Sequence, residues 1–412
     1  MTSADETPVR VGVFGLLGSG NLGNDGSLEA VLGYLRAEHP DAVVDALCGG
    51  PEVVTARYGI PATRLHWNRE EYRTASRAGA IAAKGLGKLV DVFRTAAWVR
   101  RHEVVIVPGM GVLEATLPLR AWGFPYSLFL LCASGRLLRT RVALVSVGAA
   151  TIGNRPTRAL VRWSARLATY RSYRDAQSRD AMRAMGVDTA RDEVYPDLAF
   201  SLPAPRASAP LGSPGPVCVG VMDFHGGNDD RAQADEIYRR YLDGTTRFVR
   251  ALVEEGRPVR LLTGDACDAS VVAAILDAVD SPLVTAAEPT SLADLMKEMA
   301  AADTVVAIRY HNLICALKTG TPVLALSYAA KSDALMAQMG LGAYCHPARE
   351  VDADRLLEQF RALEKRSAEL RQTLIERNQA AARQLEDQFT DLTAALFPAS
   401  DHTHSHARQE AP

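Results

Sequence analysis

Arg309-Tyr310-His311-Asn312 closes an apolar run, 302–308, and opens a segment of helical period that ends at Gly320. The run reads as a buried strand. Residues two apart on extended backbone share a face, so Arg309 and His311 are expected to point the same way from its carboxyl end. A guanidinium, an imidazole that titrates near neutrality and the neighbouring Asn312 amide suit the holding of an anion and the movement of a proton. The next apolar run, 322–326, leads through Ser327-Tyr328-Ala329-Ala330 to Lys331. Adjacent parallel strands would bring that ammonium to the same edge, so that three cations meet near two helix N-termini, where a small, heavily charged anion binds. The simpler alternative pairs Arg309 with a carboxylate and uses His311 as a helix cap. The convergence of three cations at strand ends favours the functional reading.

A second candidate lies near the amino end. Gly18-Ser19-Gly20-Asn21-Leu22-Gly23 follows the apolar run 9–16 and formally fits the G-x-G-x-x-G turn, with Asp45 spaced to meet a ribose hydroxyl. Two features weaken a nicotinamide-dependent dehydrogenase: Asp45 falls mid-strand, and the loop is longer and richer in Asn than a pyrophosphate turn. What remains is a glycine-rich loop at a helix N-terminus that offers Asn21, Gly23, Asn24 and Asp25 to a polar ligand, or a purely structural turn. Asp223 and His225 follow another apolar run and could line the same cleft. Lys318-Thr319-Gly320 reads as a helix end, and His402, His404 and His406 as part of a polar tail. No compact carboxylate or His/Cys cluster appears, so no metal is expected.

Positioning these groups requires strands that end where they stand. Short apolar runs at 9–16, 43–47, 104–107 and 142–147, then at 217–222, 259–262, 305–308 and 323–326, alternate with segments of helical period. That alternation is the pattern of parallel strands joined by crossover helices, and continuous rather than alternating hydrophobicity implies sheets covered on both faces. The fold class expected is α/β, with two doubly wound, Rossmann-like domains facing across a cleft. The Pro/Gly/Ser/Ala stretch 203–216 reads as the linker, which gives a first domain over 1–205, a linker over 206–216 and a second domain over 217–350. A long charged helix is expected over 352–388, within a helical segment 351–398 that packs along the domains, and a disordered tail over 399–412.

The 412 residues hold 46 Lys+Arg against 48 Asp+Glu, a net charge of −2, which argues against wholesale nucleic-acid binding and requires any anion to be bound by a local cluster. No apolar run is long enough to span a membrane, and the amino terminus lacks a signal core. Six scattered Cys without C-x-x-C read as core residues of a reducing compartment, so a cytoplasmic protein is expected. Arg155, Arg158, Arg162, Arg166, Arg171, Arg174, Arg179 and Arg183 accumulate against only Asp175 and Asp180, and read as a solvated basic surface, with contact to an anionic substrate or membrane as the alternative. The segment 78–101, with Lys84, Lys88, Arg94, Arg100 and Arg101 among apolar residues, is also compatible with peripheral contact at a lipid surface.

Taken in order, several of these pieces resemble the motifs of the polysaccharide pyruvyl transferase family. They are Gly20-Asn21-Leu22-Gly23, Pro108-Gly109-Met110-Gly111, Ser146-Val147-Gly148-Ala149, Arg174-Asp175-x-x-Ser178, Pro196-Asp197-Leu198-Ala199-Phe200, Arg309-Tyr310-His311, Gly320-Thr321-Pro322-Val323 and Tyr328-Ala329-Ala330-Lys331. The resemblance runs over about 11–341 and implies a GT-B-like fold. It also implies a transferase that moves a pyruvyl group from phosphoenolpyruvate to a sugar as a ketal, releasing phosphate, with phosphoenolpyruvate as co-substrate and no resident cofactor. It places the donor at Arg309, His311, Asn312 and Lys331, with Arg309 as an anion clamp and His311 in proton transfer. A saccharide acceptor, free or lipid-linked, would lie near Asn21, Gly23, Asn24 and Asp25. Asn24 stands where the family loop commonly has Asp, and Pro108 and Met110 stand where glycine is frequent, which suggests an unusual acceptor or altered chemistry. The alternatives are a GT-B glycosyltransferase using a nucleotide sugar and a non-catalytic ligand-binding relative.

Overall fold

The computed structural model of the chain describes residues 8–67, 77–114, 121–205 and 215–398, apart from the side chains at 77–84, 228 and 229. The first sheet holds seven parallel strands: β1 (Arg10–Gly15), β2 (Val43–Cys48), β3 (Ala62–Arg64), β4 (Val104–Pro108), β5 (Arg141–Val147), β6 (Tyr170–Tyr173) and β7 (Glu193–Val194). Their order is β3-β2-β1-β4-β5-β6-β7, and the helices are α1 (Leu22–Glu38), α2 (Pro51–Tyr58), α3 (Arg77–Val99), α4 (Phe124–Leu138), α5 (Arg155–Leu167) and α6 (Ala176–Ala184). The second sheet holds six: β8 (Val217–Gly220), β9 (Val259–Leu262), β10 (Val284–Ala287), β11 (Thr304–Ala307), β12 (Val323–Ser327) and β13 (Cys345–Pro347), ordered β10-β9-β8-β11-β12-β13. With it run α7 (Ala234–Glu254), α8 (Ala269–Val279), α9 (Leu292–Ala300), α10 (Tyr310–Thr319), α11 (Ala330–Gln338), α12 (Ala353–Lys365) and α13 (Ser367–Leu396).

Every residue of β4, β8 and β11 is buried, as a strand covered on both faces requires. In each sheet the strand order reverses beside the first strand, between β1 and β4 and between β8 and β11. Such a switch opens a crevice at the carboxyl ends of the strands, and the loops after β1 and β11 are the two motif-bearing segments. All eight expected strands are present.

The expected single carboxyl-terminal helix is two helices. The chain leaves helical geometry at Arg366 (φ −108°, ψ 11°), and α13 continues beyond 388 to Leu396. Early in α13, Asn378 donates to Leu317 O at 2.8 Å in the second domain. Later, Phe389 stacks on Tyr34 at 4.9 Å, and the fully buried Gln388 donates to Ser146 Oγ and Ser172 Oγ at 2.8 Å in the first domain. The helix thereby straps the two halves together. Direct contacts join them as well: Asn21 Nδ2 donates to Asp265 Oδ2 at 3.1 Å and Lys318 Nζ to Phe200 O at 2.5 Å. Residues 206–214 of the expected linker and the tail 399–412 lie outside the described residues.

Candidate active site

The first domain builds the floor of the junction from three successive strand ends. After β4 the chain turns through Gly109 (φ 47°) and Met110 (φ 62°) toward Glu114. Strand β5 ends in a register shift against β6 at Ser146 (φ 49°), which delivers Gly148 beneath the next residues. A Cβ on Gly148 would fall 2.3 Å from Glu114 Oε1 and 2.5 Å from Arg174 Nη2, so only glycine fits. Arg174 follows β6 and is 4% exposed; its Nη2 meets Glu114 Oε1 at 2.5 Å and its Nη1 meets Asp197 Oδ2 at 3.4 Å. The expected solvated role is thus wrong for Arg174: a buried guanidinium needs these carboxylates, and its neighbours supply them.

The second domain supplies the roof. Helix α10 starts at Tyr310, so Arg309 is its N-cap and His311 lies in its first turn. Helical rotation replaces the strand period at that point, and the expected common face of Arg309 and His311 is not formed. Arg309 turns into its own domain, where Nε donates to Asp268 Oδ2 at 2.9 Å and Nη2 to Asp268 Oδ1 at 2.5 Å. Fully buried, Asp268 also accepts from the backbone N–H groups of Asp223 and Gly264. Arg309 therefore has the carboxylate partner of the simpler alternative. His311 turns instead to the first domain and packs over Gly23, where a Cβ would lie 1.9 Å from its Nδ1. Its Nε2 lies 3.9 Å from Asp197 Oδ2 and is buried without a hydrogen-bond partner. From the first turn of α11, Lys331 Nζ donates to the second oxygen of Glu114, Oε2, at 2.8 Å. The Tyr310 ring sits between the cations, 4.5 Å from Arg174 Cζ and 5.6 Å from Lys331 Nζ.

Charge is balanced here. Burial disfavours ionised Glu114, yet Arg174 and Lys331 together bring its carboxyl down to about 2. Burial also pushes His311 down to about 4 against the pull of Asp197, with Arg174 and Lys331 acting in the same direction as burial. At neutral pH the imidazole is uncharged and able to accept a proton. Glu114 spans the two cations, so an incoming anion must take its place.

The sequence matches the family model for polysaccharide pyruvyl transferase over residues 21–329, a span that includes Arg174, Asp197 and His311. The chain belongs to the polysaccharide pyruvyl transferase family. It is a transferase, and the family match ends just short of Lys331. In fold it is similar to the putative UDP-N-acetylglucosamine 2-epimerase of Listeria monocytogenes (TM-score 0.62, 11% identity, 96% of this chain and 98% of that one). It is also similar to the UDP-GlcNAc 2-epimerase of Neisseria meningitidis bound to UDP-GlcNAc (0.57, 12%, 93% and 99%). A third likeness is to the lipopolysaccharide outer core galactosyltransferase WaaB in its apo form (0.55, 11%, 94% and 99%). These likenesses define a GT-B architecture of two Rossmann-like domains. No curated protein sequence matches the chain.

Within this pyruvyl transferase fold, the other expected site residues divide by role. Asn21 caps α1, its Oδ1 accepting from Gly23 N at 3.1 Å and Asn24 N at 3.2 Å. Asn24 Nδ2 donates to Leu16 O at 3.2 Å, and Asp25, 4% exposed with its pKa raised by burial, accepts from Gly18 N at 2.7 Å. These three side chains hold the glycine loop together, whereas Gly23 makes room for His311. Asn312 is wholly buried against Gly220 and Gly264 and does not reach the cluster. Asp45 accepts from Trp98 Nε1 at 2.7 Å and faces His102 Nε2 at 3.1 Å, which leaves it no ribose to bind. Asp223 and His225 pair at 3.0 Å on the second domain. Glu114 gave no motif signal of its own; a charged residue just beyond a strand-end glycine turn was the available clue.

Proposed function

We propose that the chain transfers a pyruvyl group from phosphoenolpyruvate to two hydroxyls of a saccharide, forming a cyclic ketal and releasing phosphate. One observation carries this reading: Arg174 and Lys331, brought from the two domains, share a single carboxylate, Glu114, that an anionic donor can replace, and a neutral His311 stands 3.9 Å from Asp197, the other carboxylate of Arg174. Phosphoenolpyruvate carries nearly three negative charges at neutral pH, and Arg174 with Lys331 would hold its carboxylate or phosphate once Glu114 swings away. The methylene carbon gains a proton, a sugar hydroxyl adds to the adjacent carbon, and the second hydroxyl displaces phosphate. One hydroxyl proton is lost as the methylene carbon gains one, and the second leaves with phosphate, so a base that accepts and returns a proton closes the balance. His311 is that base, and the charge of Asp197, 3.9 Å from its Nε2, favours its protonated form. The acceptor would approach along the glycine loop, near Asn21 and Gly23. Arg309, held by Asp268, stands at the N-terminus of α10, the helix that carries His311.

Ligand-dependent thermal unfolding tests the donor assignment. Phosphoenolpyruvate at roughly a hundredfold excess over its Kd should stabilise the protein by about 2.7 kcal/mol. Protection by UDP or GDP, with none by phosphoenolpyruvate, would replace this reading with nucleotide-sugar transfer.

A further inference from the structure

Leu86, Leu89 and Phe93 on α3 are 57%, 61% and 74% exposed, and their spacing of three and four places them on one helix face. Trp122, 65% exposed in the turn before α4, lies 5.6 Å from the Tyr126 ring. Tyr126 in turn donates its hydroxyl to Lys88 O at 3.4 Å and carries Lys88 Nζ 5.5 Å from its ring. The indole therefore lies alongside the α3 stripe. Single exposed apolar residues are ordinary, but a grouped set of large ones marks a contact surface.

The charge around this patch has one sign. Helix α4 packs against both α3 and α5, and Asp91 is the single carboxylate in the sequence of the three helices. Asp91 is 3% exposed and already faced by Lys88 and Arg94. Arg100 and Arg101 beyond α3, Arg136 and Arg139 at the end of α4, and Arg155 and Arg166 on α5 are all exposed. A chain of net charge −2 thus gathers an apolar and cationic face on one side. Trp163, 52% exposed, lies beside Arg166 on α5.

We propose that this face docks on the surface of an anionic lipid bilayer. Leucine, phenylalanine and tryptophan side chains would enter the headgroup boundary while the arginines meet lipid phosphates, the division of labour of interfacial amphipathic helices. Charge decides against a second copy as the occupant, because a two-fold contact through this face would press like charges together. No helix among the described residues is long and apolar enough to cross a membrane. Helix α3 and the Trp122 turn both begin at the carboxyl edge of their sheet, the edge that carries the domain junction, and Arg100, Arg101, Arg136 and Arg139 stand at the opposite ends of α3 and α4, so the docking face runs along the helices from one sheet edge to the other. Docking is independent of the chemistry proposed for the junction.

Co-sedimentation of the full chain with vesicles tests it, using phosphatidylcholine alone or mixed with roughly one third phosphatidylglycerol. The wild type should sediment with the mixed vesicles, stay in solution with the neutral ones, and dissociate as salt rises. Leu89→Glu with Phe93→Glu should weaken binding by at least about tenfold, at wild-type Tm because both side chains are exposed. Arg136→Glu with Arg139→Glu, a second surface pair, should weaken it as well. Absence of wild-type binding to the mixed vesicles, or undiminished binding in both variants, overturns the proposal. A wild-type dimer that Leu89→Glu with Phe93→Glu converts to monomer also overturns it and assigns the face to a second copy.

Discussion

Glu114 governs the resting state of the site, because its two oxygens are shared between Arg174 and Lys331. Glu114→Gln removes the competing charge, and donor or inorganic phosphate should then bind about tenfold more tightly by calorimetry, at a stability cost of about 1–3 kcal/mol. Arg309→Ala should behave differently. It strips the bidentate partner from fully buried Asp268, so denaturant unfolding should show a loss of about 3–5 kcal/mol. Gly23→Ala puts a methyl into the His311 ring and should lower turnover far more than Tm. His311 also makes a pH prediction. Its folded pKa, about 4, lies below the usual 6.5, so the fold favours the neutral form. That contribution is complete above about pH 6.5 and is lost as pH falls toward 4; Glu114, lowered to about 2, adds a loss between about pH 4.5 and 2. Thermal unfolding of His311→Gln should therefore decline less steeply than wild type between about pH 6.5 and 4. His39 and His346, also lowered by burial, keep some slope in the variant.

Strand ends and one long helix place these residues. Gln388 of α13 satisfies Ser146 at the strained end of β5 together with Ser172 of β6, and that bulge feeds the turn beneath Arg174. Gln388→Leu should leave both hydroxyls without this partner and shift the denaturant midpoint by the equivalent of about 1–3 kcal/mol with an unchanged m value. The interior strands were readable because burial on both faces leaves continuous Val/Ile/Leu runs, as in 104–107. Strands β3, β6, β7, β10 and β13 are two to four residues long and partly exposed, so they carry little hydrophobic pattern. The common face read for Arg309 and His311 failed for a local reason: α10 begins one residue after Arg309. The break at Arg366 has no Pro or Gly to announce it, so 352–388 read as one helix.

Across the whole molecule, a near-neutral chain conceals two concentrations of positive charge with opposite fates. At the domain junction Arg174 and Lys331 are matched by Glu114 and Asp197, a pairing of residues 23 to 217 positions apart that no spacing rule reveals. On the α3–α5 face Arg136, Arg139, Arg155 and Arg166 stay exposed, and the sequence displayed that surface as basic residues among apolar ones. His311 and Lys331 were legible because each stands in the first turn of the helix that follows a buried apolar strand. Arg174 was hidden in the arginine-rich run: its Arg-Asp-x-x-Ser motif marked it only through the family resemblance, and no charge pattern separated this buried member from partly or wholly exposed neighbours. Phosphate release from phosphoenolpyruvate in the presence of a saccharide diol acceptor tests the role proposed for these three residues at the junction. The wild type should release phosphate, and His311→Gln and Lys331→Met should each lose at least about a hundredfold in rate while both keep a cooperative unfolding transition. Wild-type rates of release in both variants would contradict that role.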